Sequence, residues 1–142
     1  MPKVFISYNS NDAMFADLVK ARLEVAGVDV WLDDGNLRPG EEWRNTIDDS
    51  ISSSDALFII ITPTSCMSPY VTYEWSFALG KGIKVIPLLL EESDIHPRLD
   101  VMQHLNFTDQ RRGPWGELIQ TINDTVFTLG QTDLILAQLA GT

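Results

Sequence analysis

The run Leu57-Phe58-Ile59-Ile60-Ile61 constrains this chain more than any other feature. Five consecutive apolar residues are too few for a buried helix and too continuous for a strand with one wet face, so they predict a strand covered on both sides. Val85-Ile86-Pro87-Leu88-Leu89-Leu90 is a second run of the same kind. Strands of this type belong to parallel sheets, and every parallel return needs a crossover. The sequence between the runs supplies one. Ser68 and Pro69 read as an N-cap and first helical position, Val71, Trp75, Ala78 and Leu79 as an apolar face, and Gly80 and Gly82 as the stop.

The same alternation holds along the chain. Val4 to Ser7 predicts a first strand and Tyr8 to Asp12 a polar loop. A helix follows from Ala13, with Phe15, Leu18, Val19, Leu23 and Ala26 on its apolar face, capping candidates Ser10 to Asp12 in front and Gly27 behind. Val28 to Leu32 predicts a second strand, closed by Asp33-Asp34-Gly35-Asn36, before a helix striped by Trp43, Ile47 and Ile51. Leu105 to Phe107 predicts a short fifth strand, and about Trp115 to Leu129 a helix through Leu118, Ile119, Ile122 and Val126. The expected architecture is α/β: a flavodoxin-like three-layer sandwich whose five-stranded parallel sheet, in the order 2-1-3-4-5, carries helices on both faces. The switch point of that order lies between strands one and three, so a crevice is expected beside Tyr8 to Asp12 and the loop Pro63 to Ser68. Residues 1–130 are expected to form one domain. Residues 131–142, with Leu134, Ile135, Leu136 and Leu139, read either as a last short helix or as a linker.

Composition narrows the function. The 142 residues are the size of one domain, and a formal net charge of −10, with the basic residues scattered singly apart from Arg111-Arg112, offers no footprint for nucleic acid or anionic membrane. The apolar runs fall far short of the ~20 residues that span a bilayer. One cysteine, Cys66, precludes an internal disulfide and a cysteine-rich zinc site, and no basic segment precedes an apolar run at the N-terminus, so a cytoplasmic protein is expected.

Glu74 is the strongest chemical candidate. It lies on the helix after the third strand, near the predicted crevice, with Tyr70 one turn earlier on the same side. A carboxylate there could bond a ribose diol or stabilise an oxocarbenium ion as a glycosidic bond breaks. It could equally do no more than complement the helix dipole. Cys66, in the loop after strand three, reads as a small, partly buried thiol, since neither histidine is placed beside it by the pattern. His96, next to Pro97, reads as a loop residue and His104 as the start of a strand, and the two assemble no metal set. No Walker A or GxGxxG sequence follows strand one. Ser7, Asn9, Ser10 and Asn11 offer hydroxyls, amides and helix N-terminal N–H groups instead, to hold a pyrophosphate or to act as caps and turn formers.

The segments VFISYNSND, VWLDDGNLRPGEEW, ALFIIITPTSCMSPYVTYEWSFAL and KVIPLLL, in this order and spacing, resemble the Toll/interleukin receptor (TIR) domain family, bacterial members in particular, over about residues 3 to 130. The resemblance implies the five-stranded fold described above. It also implies cleavage of NAD⁺, as substrate rather than cofactor, to nicotinamide and ADP-ribose or a cyclic isomer, without a metal. Glu74 occupies the position of the family's catalytic glutamate. Tyr8, Asn9 and Ser10 lie in the loop that lines the nucleotide pocket, and Ser68 fits the pattern upstream of the glutamate. Tyr70 stands where many members carry tryptophan, and tyrosine can stack as well. Asp34 and Trp43 complete the candidate substrate contacts, while Asp34 to Gly40 match the loop that mediates assembly in the family. Homotypic association through the Asp33 to Glu42 loop is expected, as is a sensing domain C-terminal to residue 142. The competing expectation is a non-catalytic interaction module in which that loop makes the contacts and Glu74 is structural. A phosphorelay receiver is rejected, because Ser7-Tyr8-Asn9 and Thr62-Pro63 stand where its acidic residues belong. A nucleoside deoxyribosyltransferase, which uses a glutamate on a related fold, fits the Asp33 to Glu42 loop less well.

Overall fold

The continuous run becomes β3 (Ala56–Ile61), buried at every residue, in a computed structural model that describes residues 2–32 and 41–125, the side chains of residues 41–44 excepted. β1 (Lys3–Ser7) and β4 (Lys84–Leu89) flank it, and β2 (Asp29–Leu32) and β5 (Leu105–Asn106) form the edges. The order is β2-β1-β3-β4-β5, with every pair parallel. Ser7 pairs with Ile59 and Ile61 with Leu89, so β1 ends two residues before β3 along the sheet. That offset leaves a step at the switch point.

Alternate residues of each strand feed opposite faces, as the two-residue period of a strand requires. On one face Val4, Ile6, Phe58, Ile60, Ile86 and Leu88 pack against Phe15, Val19 and Leu23 of α1 (Ala13–Val25), and against Leu118 and Ile122 of the final helix, which is described over 115–125. On the other, Phe5, Leu57, Ile59, Ile61 and Val85 meet Ile47 and Ile51 of α2 (Glu41–Ser52). Val71, Trp75 and Ala78 of α4 (Pro69–Gly80) and Leu99 of α5 (Pro97–Asp100) complete that layer. Each fully buried Ile, Leu or Phe contributes ~1.5–3 kcal/mol, so the two layers of side chains hold the sandwich. The three-layer architecture is the one the sequence predicts.

The helix stops are also where expected. Gly27 and Gly82 adopt positive φ (85° and 74°), and Val28 N–H to Leu23 C=O and Ile83 N–H to Ala78 C=O close the ends of α1 and α4. Two expectations are corrected. Leu18 and Ala26 do not join the core face of α1: both are exposed, because the buried stripe is Phe15, Ala16, Val19 and Leu23, displaced around the helix. The segment Pro63 to Ser68 is not an irregular loop but holds a short helix, α3 (Pro63–Cys66), started by a reciprocal cap in which Thr62 and Ser65 bond each other's backbone N–H. Residues 33–40, with Asp34, and residues 131–142, with the proposed last helix or linker, lie outside the described residues. Among the described residues no helix is long and apolar enough to cross a membrane.

Candidate functional site

The site is built from the ends of β1 and β3 and the start of α4. Ser68 caps α4, its Oγ accepting from Val71 N–H at 3.3 Å, and Pro69 occupies the first turn. This fixes where the helix begins and so where its inward stripe falls. Val71, Glu74, Trp75 and Ala78 form that stripe at the i, i+3, i+4, i+7 spacing. A glutamate therefore occupies an apolar position, and Glu74 is only 2% exposed.

Burying a carboxylate costs several kcal/mol unless hydrogen bonds answer it. The Ser7 hydroxyl, itself fully buried at the end of β1, donates to Glu74 Oε1 at 2.7 Å. The dipole reading of Glu74 fits poorly: the residue lies in the second turn, its carboxylate is buried, and dipole stabilisation fades beyond the first turn. A second hydroxyl–carboxylate pair lies alongside. Thr62 Oγ1, just past β3, donates to Asp12 Oδ2 at 2.7 Å. The two bonds tie the segment leaving β1 to the segment leaving β3, on both sides of the switch point. Burial pushes the Asp12 carboxyl up from its ordinary value; the Thr62 hydrogen bond opposes the shift and the Glu91 charge adds to it.

The other sequence candidates are distributed around this centre. Tyr8 is half-buried and packs against the core layer that holds α1, on the face of the sheet opposite Glu74. Asn9 acts as a cap, its Oδ1 accepting from Asn11 N–H at 3.0 Å to start the single turn Ser10–Asp12, in which Ser10 is exposed. Tyr70 is 44% exposed on the first turn of α4. Asp34 and the side chain of Trp43 lie outside the described residues. The structure thus brings Ser7 to Glu74, and it assigns capping work to Ser68 and Asn9.

Cys66 ends α3, and burial pushes its thiol up, with a Ser93 hydrogen bond opposing and the Asp94 charge adding. A raised thiol is a poor nucleophile. His96 caps α5 by accepting from Arg98 N–H at 3.1 Å, with its ring centroid 5.1 Å from that of Trp75. Among the described residues no three His, Cys, Asp or Glu side chains form a metal-holding group. A cavity of 360 Å³, lined by Leu79, Lys84, Val85, Gln103 and Thr121, opens at the opposite, N-terminal end of β4 and does not include Glu74.

Sequence reasoning missed the pair Asp12 and Thr62. The signal for Thr62 was the Thr-x-x-Ser spacing that caps α3; nothing local marks Asp12 as its partner 50 residues away.

Comparison with known proteins agrees with this fold. The family model described as TIR domain matches residues 4–122. A protein of Paracoccus denitrificans (strain Pd 1222), NAD(+) hydrolase PdTIR, is 37% identical over 60 residues, which is 42% of this chain and 20% of that protein. The match thus spans a fifth of that relative's length. Among solved structures, the TIR domain of the Toll-related receptor TRR-2 from Hydra magnipapillata superposes with a TM-score of 0.73 at 22% identity, covering 84% of this chain and 97% of that one. The CMP N-glycosidase BcmB of Clostridium botulinum shares the fold with a TM-score of 0.60 at 18% identity, over 85% and 97% of the two chains.

Proposed function

The chain belongs to the TIR domain family, and on that premise we propose that it is an NAD⁺ nucleosidase that cleaves the bond between nicotinamide and ribose at Glu74. The observation that carries the reading is the Glu74 carboxylate, buried in an otherwise apolar stripe at the switch point and held by the Ser7 hydroxyl. The bacterial relative's name as an NAD(+) hydrolase supports the same chemistry.

In the proposed reaction the C1′–N bond breaks heterolytically and its electron pair leaves with the ring, turning a pyridinium into neutral nicotinamide. Departure of a neutral leaving group needs no metal. The ribose is left as an oxocarbenium ion, which the Glu74 carboxylate stabilises, and electrostatic stabilisation of this kind contributes ~3–4 kcal/mol per group. Water then adds at C1′ and loses a proton to give ADP-ribose, or an adenine nitrogen adds to give a cyclic isomer. Tyr8, Asn9, Ser10, Asp34, Trp43, Ser68 and Tyr70 are the proposed substrate contacts, with Tyr70 offering a ring at the mouth.

Glu74 at 2% exposure is closed to a ligand of this size, so turnover requires the crevice to open. We attribute that opening to assembly of copies through the Asp33 to Glu42 loop, in a signalling or defence effector of the cytoplasm coupled to a C-terminal sensing domain. The same burial suits a purely structural glutamate in an interaction module, and one assay separates the two. Chromatography of NAD⁺ incubated with artificially clustered wild type is expected to show nicotinamide plus ADP-ribose or its cyclic isomer, and none with Glu74→Ala. Absence of turnover in both, with clustering confirmed, would leave the interaction module as the function.

A further inference from the structure

Asp12 stands at the N-cap of α1, yet its side chain makes no capping bond to that helix. Aspartate is among the best capping residues, so a local role was open to it. Asn9 does the capping instead, one turn earlier, with its Oδ1 accepting from Asn11 N–H at 3.0 Å. The Asp12 carboxylate is turned inward, leaving the residue 9% exposed, and accepts from the Thr62 hydroxyl 50 residues away. Burial and the Glu91 charge both disfavour ionised Asp12, so the fold carries this contact at a cost.

What the contact anchors is the turn that leaves β1. Asp12 N–H closes that turn on Asn9 C=O at 2.8 Å. Asn9 bonds within the turn and Ser10 is exposed; the hydrogen bond that carries the turn across to the end of β3 is the one at Asp12. Thr62 is a firm anchor, 1% exposed and directly after β3. Its Oγ1 also accepts from Ser65 N–H at 3.2 Å in the cap of α3. One hydroxyl thus fixes the start of α3 and, through Asp12, the turn in front of α1.

From this geometry we infer that Asp12 is a positioning residue for the substrate: it holds the turn carrying Tyr8, Asn9 and Ser10 against the end of β3, so that these side chains meet the nucleotide already ordered. That role rests on the NAD⁺ cleavage proposed above and lies in binding, apart from the bond breaking at Glu74. Glu74 is held by Ser7, which belongs to β1 and precedes the turn. Without the Asp12 bond, ordering of the turn would have to accompany binding, which weakens affinity and spares the chemical step.

Initial rates of nicotinamide release by the clustered full chain, over a range of NAD⁺ concentrations, test it. Asp12→Ala is expected to raise KM about tenfold, the scale of one hydrogen bond to a charged group, with kcat within about twofold of wild type. Asp12→Asn, whose amide oxygen still accepts from Thr62, is expected to restore KM. In Asp12→Ala the backbone amides of residues 11 and 12 are expected to exchange hydrogen about tenfold faster, while those of β3 keep their wild-type rates and show that the fold is intact. Wild-type KM in Asp12→Ala, a fall in kcat at constant KM, unchanged exchange in the turn, or Asp12→Asn no better than Asp12→Ala would each overturn the positioning role while leaving NAD⁺ cleavage standing. A clustered wild type without turnover would overturn the NAD⁺ reading and this role together.

Discussion

Ser7 donates the hydrogen bond that Glu74 accepts across the end of the sheet, so the side chain whose loss should be felt at the candidate centre without touching the carboxylate is a serine hydroxyl. Ser7→Ala is expected to lower stability by ~1.5–3 kcal/mol, the range for hydrogen bonds to charged groups, read as a shift in the urea midpoint at constant slope. An unchanged midpoint would mean the bond holds nothing. Asp12 behaves differently, because burial raises its pKa above the ordinary 3.8. The folded state then favours the protonated form, and the stability this group contributes is fully present below pH 3.8 and lost as pH rises through the raised folded value. Asp12→Asn keeps an acceptor for the Thr62 hydroxyl and removes the titration. Relative to wild type it should gain stability above that window and show a flatter urea midpoint against pH. Parallel pH profiles for the two proteins would contradict the assignment.

Elements are where the sequence was most legible. The two continuous apolar runs became β3 and β4, and the Ser68-Pro69 start and Gly82 stop of α4 fall where the pattern placed them. Local signals of this kind need no tertiary knowledge. Ser68→Ala accordingly has a local effect: it removes the N-cap of α4 and should cost ~0.5–2 kcal/mol, seen as a lower melting temperature. A melt equal to wild type would show that packing alone sets the start of this helix. Leu18 was misassigned because α1 is apolar on two faces, and a period of 3.6 residues cannot say which face the sheet takes. α3 was missed because four residues leave no room for periodicity, and its cap uses serine where the usual pattern has a glutamate or glutamine. Glu74 was singled out by its place near the predicted crevice and by the family resemblance, and its burial was also written in the stripe it interrupts. The Asp12 and Thr62 contact was not legible, since it forms only when β1 and β3 are paired.

At the scale of the molecule, the parallel sheet explains why carboxylates and hydroxyls from distant segments converge. Strand order 2-1-3-4-5 puts the segments leaving β1 and β3 side by side, and α4 lays Glu74 across the step between them. The same order leaves α1 on the face of the sheet opposite α4. The central claim is that Glu74 performs the cleavage, and the measurement that reaches it most directly is nicotinamide release by wild type and Glu74→Gln at matched clustering and matched thermal stability. The account predicts that the isosteric amide lowers the rate by about 10²–10³-fold, since it keeps the shape and loses the charge that stabilises the ribosyl oxocarbenium ion. Release by Glu74→Gln at the wild-type rate would contradict it.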